Sequence, residues 1–133
     1  MEELTLLGER AVQAKFELQR MTTEKKNEVL EAVADALIRN TEYLLLENHK
    51  DLDRGIANQM NSGLLDRLRL TKERIAGMAE GIRQIVNLPD PVGEILDDYE
   101  AENGLHIVKK RVPMGVIGII YESRPNVTAD AFG

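Results

Sequence analysis

The chain has 133 residues, 43% of them hydrophobic and 30% charged, with a net charge of −6 and a pI near 5.0. That is one domain's worth of residues with material for a modest core, and the acidic balance argues against a surface for nucleic acid or an anionic membrane. No apolar run approaches the roughly 20 residues of a membrane span. The opening Met-Glu-Glu-Leu-Thr lacks the basic start and apolar centre of an export signal, so the cytoplasm is the expected location. Cysteine is absent, which excludes disulfides and thiolate metal sites.

From Leu4 to about Met21, the residues Leu7, Ala11, Ala14 and Leu18 fall on one face of a helix. Thr22 and Thr23 are candidate N-caps for a second helix, with Glu24 favourably placed in its first turn. That helix carries Val29, Val33 and Ala36/Leu37 and breaks at Asn40-Thr41. Thr41 can cap a third helix with Leu44, Leu45, Asn48, Leu52 and Ile56 along its inner side, and Asn61-Ser-Gly63 should end it. A short helix follows from Leu64 to about Arg69. Thr71 is the clearest N-cap in the chain, and Ile75, Met78, Ile82 and Ile85 behind it keep a steady helical spacing until Pro89 and Pro91 forbid continuation. Lys50 and Asp51 read as solvated or ion-paired surface. His49 and His106 have no companions at metal-ligand spacing and read as structural, so no metal is expected.

Between Gly93 and Val112 the period changes to two. Ile95, Asp97 and Tyr99 alternate with Glu94, Leu96 and Asp98, and Leu105, Ile107 and Lys109 return against His106, Val108 and Lys110. Asn103-Gly104 supplies the residues preferred by a two-residue type I′ turn, so a hairpin with one acidic and one basic leg is predicted. A two-stranded hairpin is marginal alone in water and needs a partner surface. Beyond it, Val116 to Ile120 is an apolar run fenced by Pro113/Gly115 and Ser123/Pro125, which reads as a strand buried on both faces in a parallel sheet. In such sheets ligands sit at the carboxyl ends of the strands, the place that Tyr121 to Asn126 occupies. No dinucleotide fingerprint or phosphate loop occurs.

Val112-Pro-Met-Gly-Val-Ile-Gly-Ile-Ile-Tyr-Glu-Ser-Arg-Pro-Asn-Val-Thr128 closely resembles the first cofactor-domain strand and loop of the γ-glutamyl phosphate reductases (glutamate-5-semialdehyde dehydrogenases), a branch of the aldehyde dehydrogenase superfamily. Glu47-Asn-His-Lys-Asp51 and Gly63-Leu-Leu-Asp-Arg-Leu68 look like the same family's N-terminal helical segments. The resemblance implies an α/β, aldehyde dehydrogenase-like fold. Its parts here would be a helical segment over 1–92 belonging to the cofactor-binding domain, an oligomerisation-type β-hairpin over 93–112, and the first strand of a Rossmann-like parallel sheet in an NADP-binding domain starting at 113–133, with the catalytic domain absent from this chain.

The activity implied is NADPH-dependent reduction of L-glutamyl 5-phosphate to L-glutamate 5-semialdehyde and phosphate, the second step of proline synthesis from glutamate. A thioacyl-cysteine from beyond residue 133 would carry it, and the piece alone would be inactive. Tyr121, Glu122, Ser123 and Pro125 would line the cofactor, Asn126 would donate to the oxyanion, and Arg124 would grip the anionic substrate. An ungapped comparison puts Arg124 at the amide's place instead, and an N-cap role for Asn126 on a helix starting near Val127 stays open. Homo-oligomerisation through 94–112 is implied, and glutamate 5-kinase is a candidate partner. Alternatives are a coenzyme A-acylating aldehyde dehydrogenase and a non-catalytic helical interaction module.

Overall fold

A computed structural model describes residues 2–133 and orders them as five helices, an antiparallel hairpin and a short sixth helix. The helices are α1 (Glu2–Leu18), α2 (Thr23–Arg39), α3 (Thr41–Ala57), α4 (Ser62–Leu68), α5 (Lys72–Val86) and α6 (Asn126–Phe132), and the strands are β1 (Ile95–Glu100) and β2 (His106–Lys110). Two compact units result, one made of residues 1–23 and 89–118, the other of 24–88 and 119–133.

The second unit holds the core. Ala34 of α2, Ala79 and Ile82 of α5 and Ala129 of α6 are buried together, flanked by Leu30, Val33, Leu37 and Met78. Three alanines in that cluster let helix backbones approach closely, and Ile82 is its one large fully enclosed side chain. Arg83 stands beside the core and spans Glu31 and Asp35 of α2, which pins α5 across it. The second helix therefore uses the predicted face of Val33 and Leu37, with Ala34 at its centre.

The break between α2 and α3 falls where the sequence places it, by a different device. Thr41 does not cap α3; its hydroxyl donates back to the Ile38 carbonyl at 2.8 Å, and the Asn40 amide donates to Ala36 O at 2.7 Å. The Thr41 hydroxyl thus serves a carbonyl at the end of α2, and the Asn40 amide adds a second donor to the Ala36 carbonyl, which also accepts the Asn40 backbone N–H at 3.0 Å. Along α3, Asn48 and Leu52 are buried as expected, but Ile56 is 60% exposed and Gly55 takes the inner place. A Cβ on Gly55 would sit 3.0 Å from the Leu65 side chain, so α4 packs where only a hydrogen fits comfortably. The third helix also ends earlier than predicted, at Ala57, with Gln59 turning the chain through φ 56. Gly63 is not a terminator: Asn61 accepts a hydrogen bond from Leu64 N–H at 2.9 Å and starts α4 ahead of it.

Asn48 joins these pieces. Its side chain donates to Leu68 O and accepts from Leu70 N–H, each at 2.8 Å, and only 5% of the residue is exposed. The amide therefore holds the turn between α4 and α5 from the side of α3. Thr71 then caps α5 as predicted, accepting from Arg74 N–H at 3.1 Å.

The first unit contains α1 and the hairpin. No residue of α1 is buried, and of its predicted face only Ala11 is half-buried. The strands pair as expected, but in a register one residue from that of a two-residue turn: Asp97 faces Lys109, Tyr99 faces Ile107 and Glu100 faces His106. The turn is formed over Ala101–Gly104, with Gly104 N–H bonded to Ala101 O and Leu105 O receiving Ala101 N–H, both at 2.8 Å. A type I′ turn needs positive φ at both central residues, and here Gly104 alone adopts it, at 82°. At the open end Arg111 and Glu94 bond through backbone and side chain. Opposite charges do face each other, yet every residue of both strands is exposed.

Residues 116–120 depart from the predicted interior strand. Among the described residues the only sheet is β1-β2, and residues 112–121 make no backbone hydrogen bond. Met114 is 88% and Ile120 fully exposed. A strand is stable only when its N–H and C=O groups are paired, and no parallel neighbour is present here to pair them.

Two measurements check this account. Asn48→Ala strips both partners from a half-buried turn and should cost about 2 kcal/mol of unfolding free energy in denaturant titration; a loss under about 0.5 kcal/mol would mean that the bridge does not hold the turn. Asn48→Asp should cost at least as much, since two acceptor oxygens leave the Leu68 carbonyl facing no donor. At the start of α5, Glu73 is held below its ordinary pKa by its own backbone N–H and then by the Thr71 hydroxyl. A depressed carboxylate stabilises above the ordinary glutamate range, and that contribution fades as pH falls through the folded pKa. Thr71→Ala removes the acceptor of Arg74 N–H and should cost about 1 kcal/mol as a lost N-cap; separately it should raise the Glu73 titration midpoint read by carboxyl carbon NMR, and an unmoved midpoint would rule the hydroxyl out as a cause.

Candidate functional site

The helical unit contains an open cavity of about 410 Å³ where the α4–α5 turn meets the start of α6. Arg67, Arg69, Leu70, Arg74, Gly77 and Met78 line it from α4, α5 and the turn between them, and Arg124, Asn126 and Asp130 line it from α6 and the loop before it. Four arginines against two aspartates, Asp66 and Asp130, leave this wall two charges positive in a chain whose net charge is −6.

The four arginines are not equivalent. Arg74 reaches back from α5 and donates through Nη1 to the carbonyls of Asp66 and Arg69, at 2.5 and 2.6 Å. Its Nη2 lies 3.2 and 3.3 Å from the two carboxylate oxygens of Asp66. Arg74 thus closes the carbonyl end of α4 and neutralises Asp66, a structural task suited to a cation at a helix C-terminus. Arg67, Arg69 and Arg124 have guanidinium groups with no carboxylate partner among the described residues.

The loop before α6 is tied down locally. The Tyr121 and Thr128 hydroxyls are 2.6 Å apart, Arg124 N–H bonds to Glu122 O, and Val127 N–H bonds to Arg124 O at 3.1 Å. Asn126 opens α6 as its first helical residue, and Pro125, with φ −64°, stands at the cap position. The N-cap alternative for Asn126 is thereby overturned: its amide donates to Asp130 Oδ2 at 2.9 Å, one helical turn on. A carboxylate only accepts, so the nitrogen of the amide faces Asp130, and one N–H is left over.

Of the residues singled out from sequence, Arg124 and Asn126 line the cavity together. Tyr121, Glu122, Ser123 and Pro125 lead up to it without lining it; Tyr121 and Glu122 are exposed, Ser123 and Pro125 half-buried. Sequence reasoning missed Arg67, Arg69, Asp66 and Asp130. The available signal was three arginines at 67, 69 and 74 in an acidic chain, which no local pattern connects to residues 124–130. No group of three or more metal-ligating side chains is found among the described residues, and no helix there is long and apolar enough to cross a membrane.

No family model matches the chain. Individual proteins do. The γ-glutamyl phosphate reductase of Clostridium botulinum (strain Eklund 17B / Type B) is 50% identical over 133 residues, all of this chain and 32% of that protein. That of Anoxybacillus flavithermus is 47% identical over 131 residues, again 32% of its length. Among crystal structures, the γ-glutamyl phosphate reductase of Thermotoga maritima superposes with a TM-score of 0.89 at 37% identity, covering 92% of this chain and 30% of that one. The Saccharomyces cerevisiae enzyme of the same name gives 0.87 at 31% identity, covering 93% and 32%. These structures share the α/β, aldehyde dehydrogenase-like architecture that the resemblance implies. Over its whole length the chain is homologous to γ-glutamyl phosphate reductase, and it spans 32% of such a protein.

Proposed function

We propose that this chain serves in the NADPH-dependent reduction of L-glutamyl 5-phosphate to L-glutamate 5-semialdehyde and phosphate. The carrying observation is that Arg124 and Asn126 line one cavity in a chain 50% identical, end to end, to a protein named for that reaction. The reaction needs a thiolate to attack the acyl carbon and expel phosphate. With no cysteine among the 133 residues, that thiolate comes from outside them. A nicotinamide dinucleotide, when bound, supplies the hydride that reduces the acyl group to the aldehyde.

What this chain brings is positioning and charge. The free N–H of Asn126 can donate to the oxygen of the tetrahedral centre, where negative charge develops as the acyl carbon is attacked. Asp130 fixes which end of the amide faces it and so keeps that donor from rotating away. Arg124, unpaired on the same wall, matches the leaving phosphate with two parallel N–H donors. The cofactor fits this chain in part: the loop from Tyr121 to Pro125, exposed at Tyr121 and Glu122 and tied to α6 by the Tyr121–Thr128 contact, offers a firm edge for its nicotinamide half. NADP rather than NAD is the reading that the resemblance to γ-glutamyl phosphate reductases supports, and no residue of this chain selects it.

The hairpin fits a role between copies of the protein. Ile95, Tyr99, Ile107 and Val108 are all exposed on a two-stranded element that is marginal by itself, so a homo-oligomer assembled through 94–112 would bury them. Glutamate 5-kinase, which makes the labile acyl phosphate, is the natural neighbour for direct delivery. A cytoplasmic setting suits both substrates.

The test is Asn126→Ala in the complete reductase that contains this sequence. Loss of one oxyanion donor should lower kcat by roughly 10²–10³ with little change in KM. A fall of tenfold or less would remove Asn126 from the chemistry, and an intact enzyme with no glutamyl phosphate reduction would remove the reading itself.

A further inference from the structure

The cavity wall carries more cation than the chemistry at Arg124 and Asn126 uses. Arg54, Arg74, Arg83 and Arg111 each meet a carboxylate, and the chain has 23 acidic residues to 17 basic ones. Arg67 and Arg69 nevertheless line the cavity without one, as Arg124 does. Their position at the end of α4 does not explain them, because Arg74 already serves the Asp66 and Arg69 carbonyls there. Like charges gathered on one wall repel one another, and an anion held between them would offset that repulsion.

We propose that Arg67 and Arg69 are binding residues which, with Arg124, make a phosphoryl subsite carried by the helical unit itself. Planar guanidinium groups present paired N–H donors that match phosphate oxygens, and a cavity of about 410 Å³ admits a small molecule. The phosphoryl group has two possible sources, a small acyl phosphate or the phosphates of a dinucleotide. Asn126, which lines the same cavity, favours the small acyl phosphate, whose carbonyl then lies within that cavity. The subsite rests on Arg124 as an anion contact in the reading above and does not require the reduction step.

The experiment uses the 133-residue chain, ¹⁵N-labelled at arginine and titrated at fixed ionic strength with inorganic phosphate and separately with 2′,5′-ADP. Side-chain N–H resonances of Arg67, Arg69 and Arg124 should shift saturably, and the double variant R67Q/R69Q should bind at least tenfold more weakly. R10Q, changed on α1, should bind as the parent does. R67K and R69K keep the charge and should each weaken binding by losing the paired donors; they also serve if the double variant loses helicity by circular dichroism. Stronger binding of phosphate at equal charge assigns the subsite to an acyl phosphate, and stronger binding of 2′,5′-ADP assigns it to the dinucleotide. No saturable shift with either ligand, or undiminished binding in the folded variants, overturns the proposal. Binding here without reductase activity in the complete enzyme would sink only the functional reading, and activity without binding at these arginines would sink only the subsite.

Discussion

The helical unit depends on one neutral amide. Asn48 is buried, yet its two ends meet one carbonyl and one N–H of the turn that joins α4 to α5. A turn cannot complete its own backbone pairing, and Leu68 and Leu70 are half-buried, so an unanswered Leu68 carbonyl or Leu70 N–H would be costly. An amide is the side chain that can give one hydrogen bond and take another at once. Every position downstream inherits that restraint: Arg67 and Arg69 at the cavity, Thr71 at the head of α5, and Arg74 folded back onto α4.

Much of this unit was legible in the sequence because its helices are paced by apolar residues and opened by short polar ones. Thr71 starting α5, and Asn48 and Leu52 on the inner side of α3, follow from spacing and cap chemistry alone. The failures occur where one residue type admits two backbone roles. Gly63 looks like a helix breaker but rides inside α4, while Gln59, with no such look, takes the positive φ that turns the chain. Asn103-Gly104 matches a two-residue hairpin turn, yet Asn103 keeps a negative φ and accepts from Leu105 N–H, moving the register by one. Local preference names the residues able to turn; packing and pairing decide which of them does.

The cavity was half legible. Arg124 and Asn126 came from a resemblance, since nothing in their spacing marks them. Arg67 and Arg69 are separated from them by more than fifty positions of chain, and their meeting at one cavity is a product of how α5 and α6 pack over Ala79 and Ala129. Small residues at that crossing bring the two stretches near each other. Charge without a partner is then visible only in three dimensions.

The apolar stretch around Val116–Ile120 gives the opposite lesson. Its composition is that of a strand buried on both faces, and composition is what the sequence reading used. Burial, however, is a relation between elements: backbone groups of residues 112–121 remain unpaired and Ile120 is bare. The loop that follows does not share that fate, because its order comes from α6 through Tyr121–Thr128 and Asn126–Asp130 rather than from a sheet. The loop and the start of α6 that carry the proposed site residues are thus held by short-range bonds within residues 121–130, and their geometry does not wait on the pairing of the segment before them. That separation is why a binding measurement on this chain alone can speak to the site.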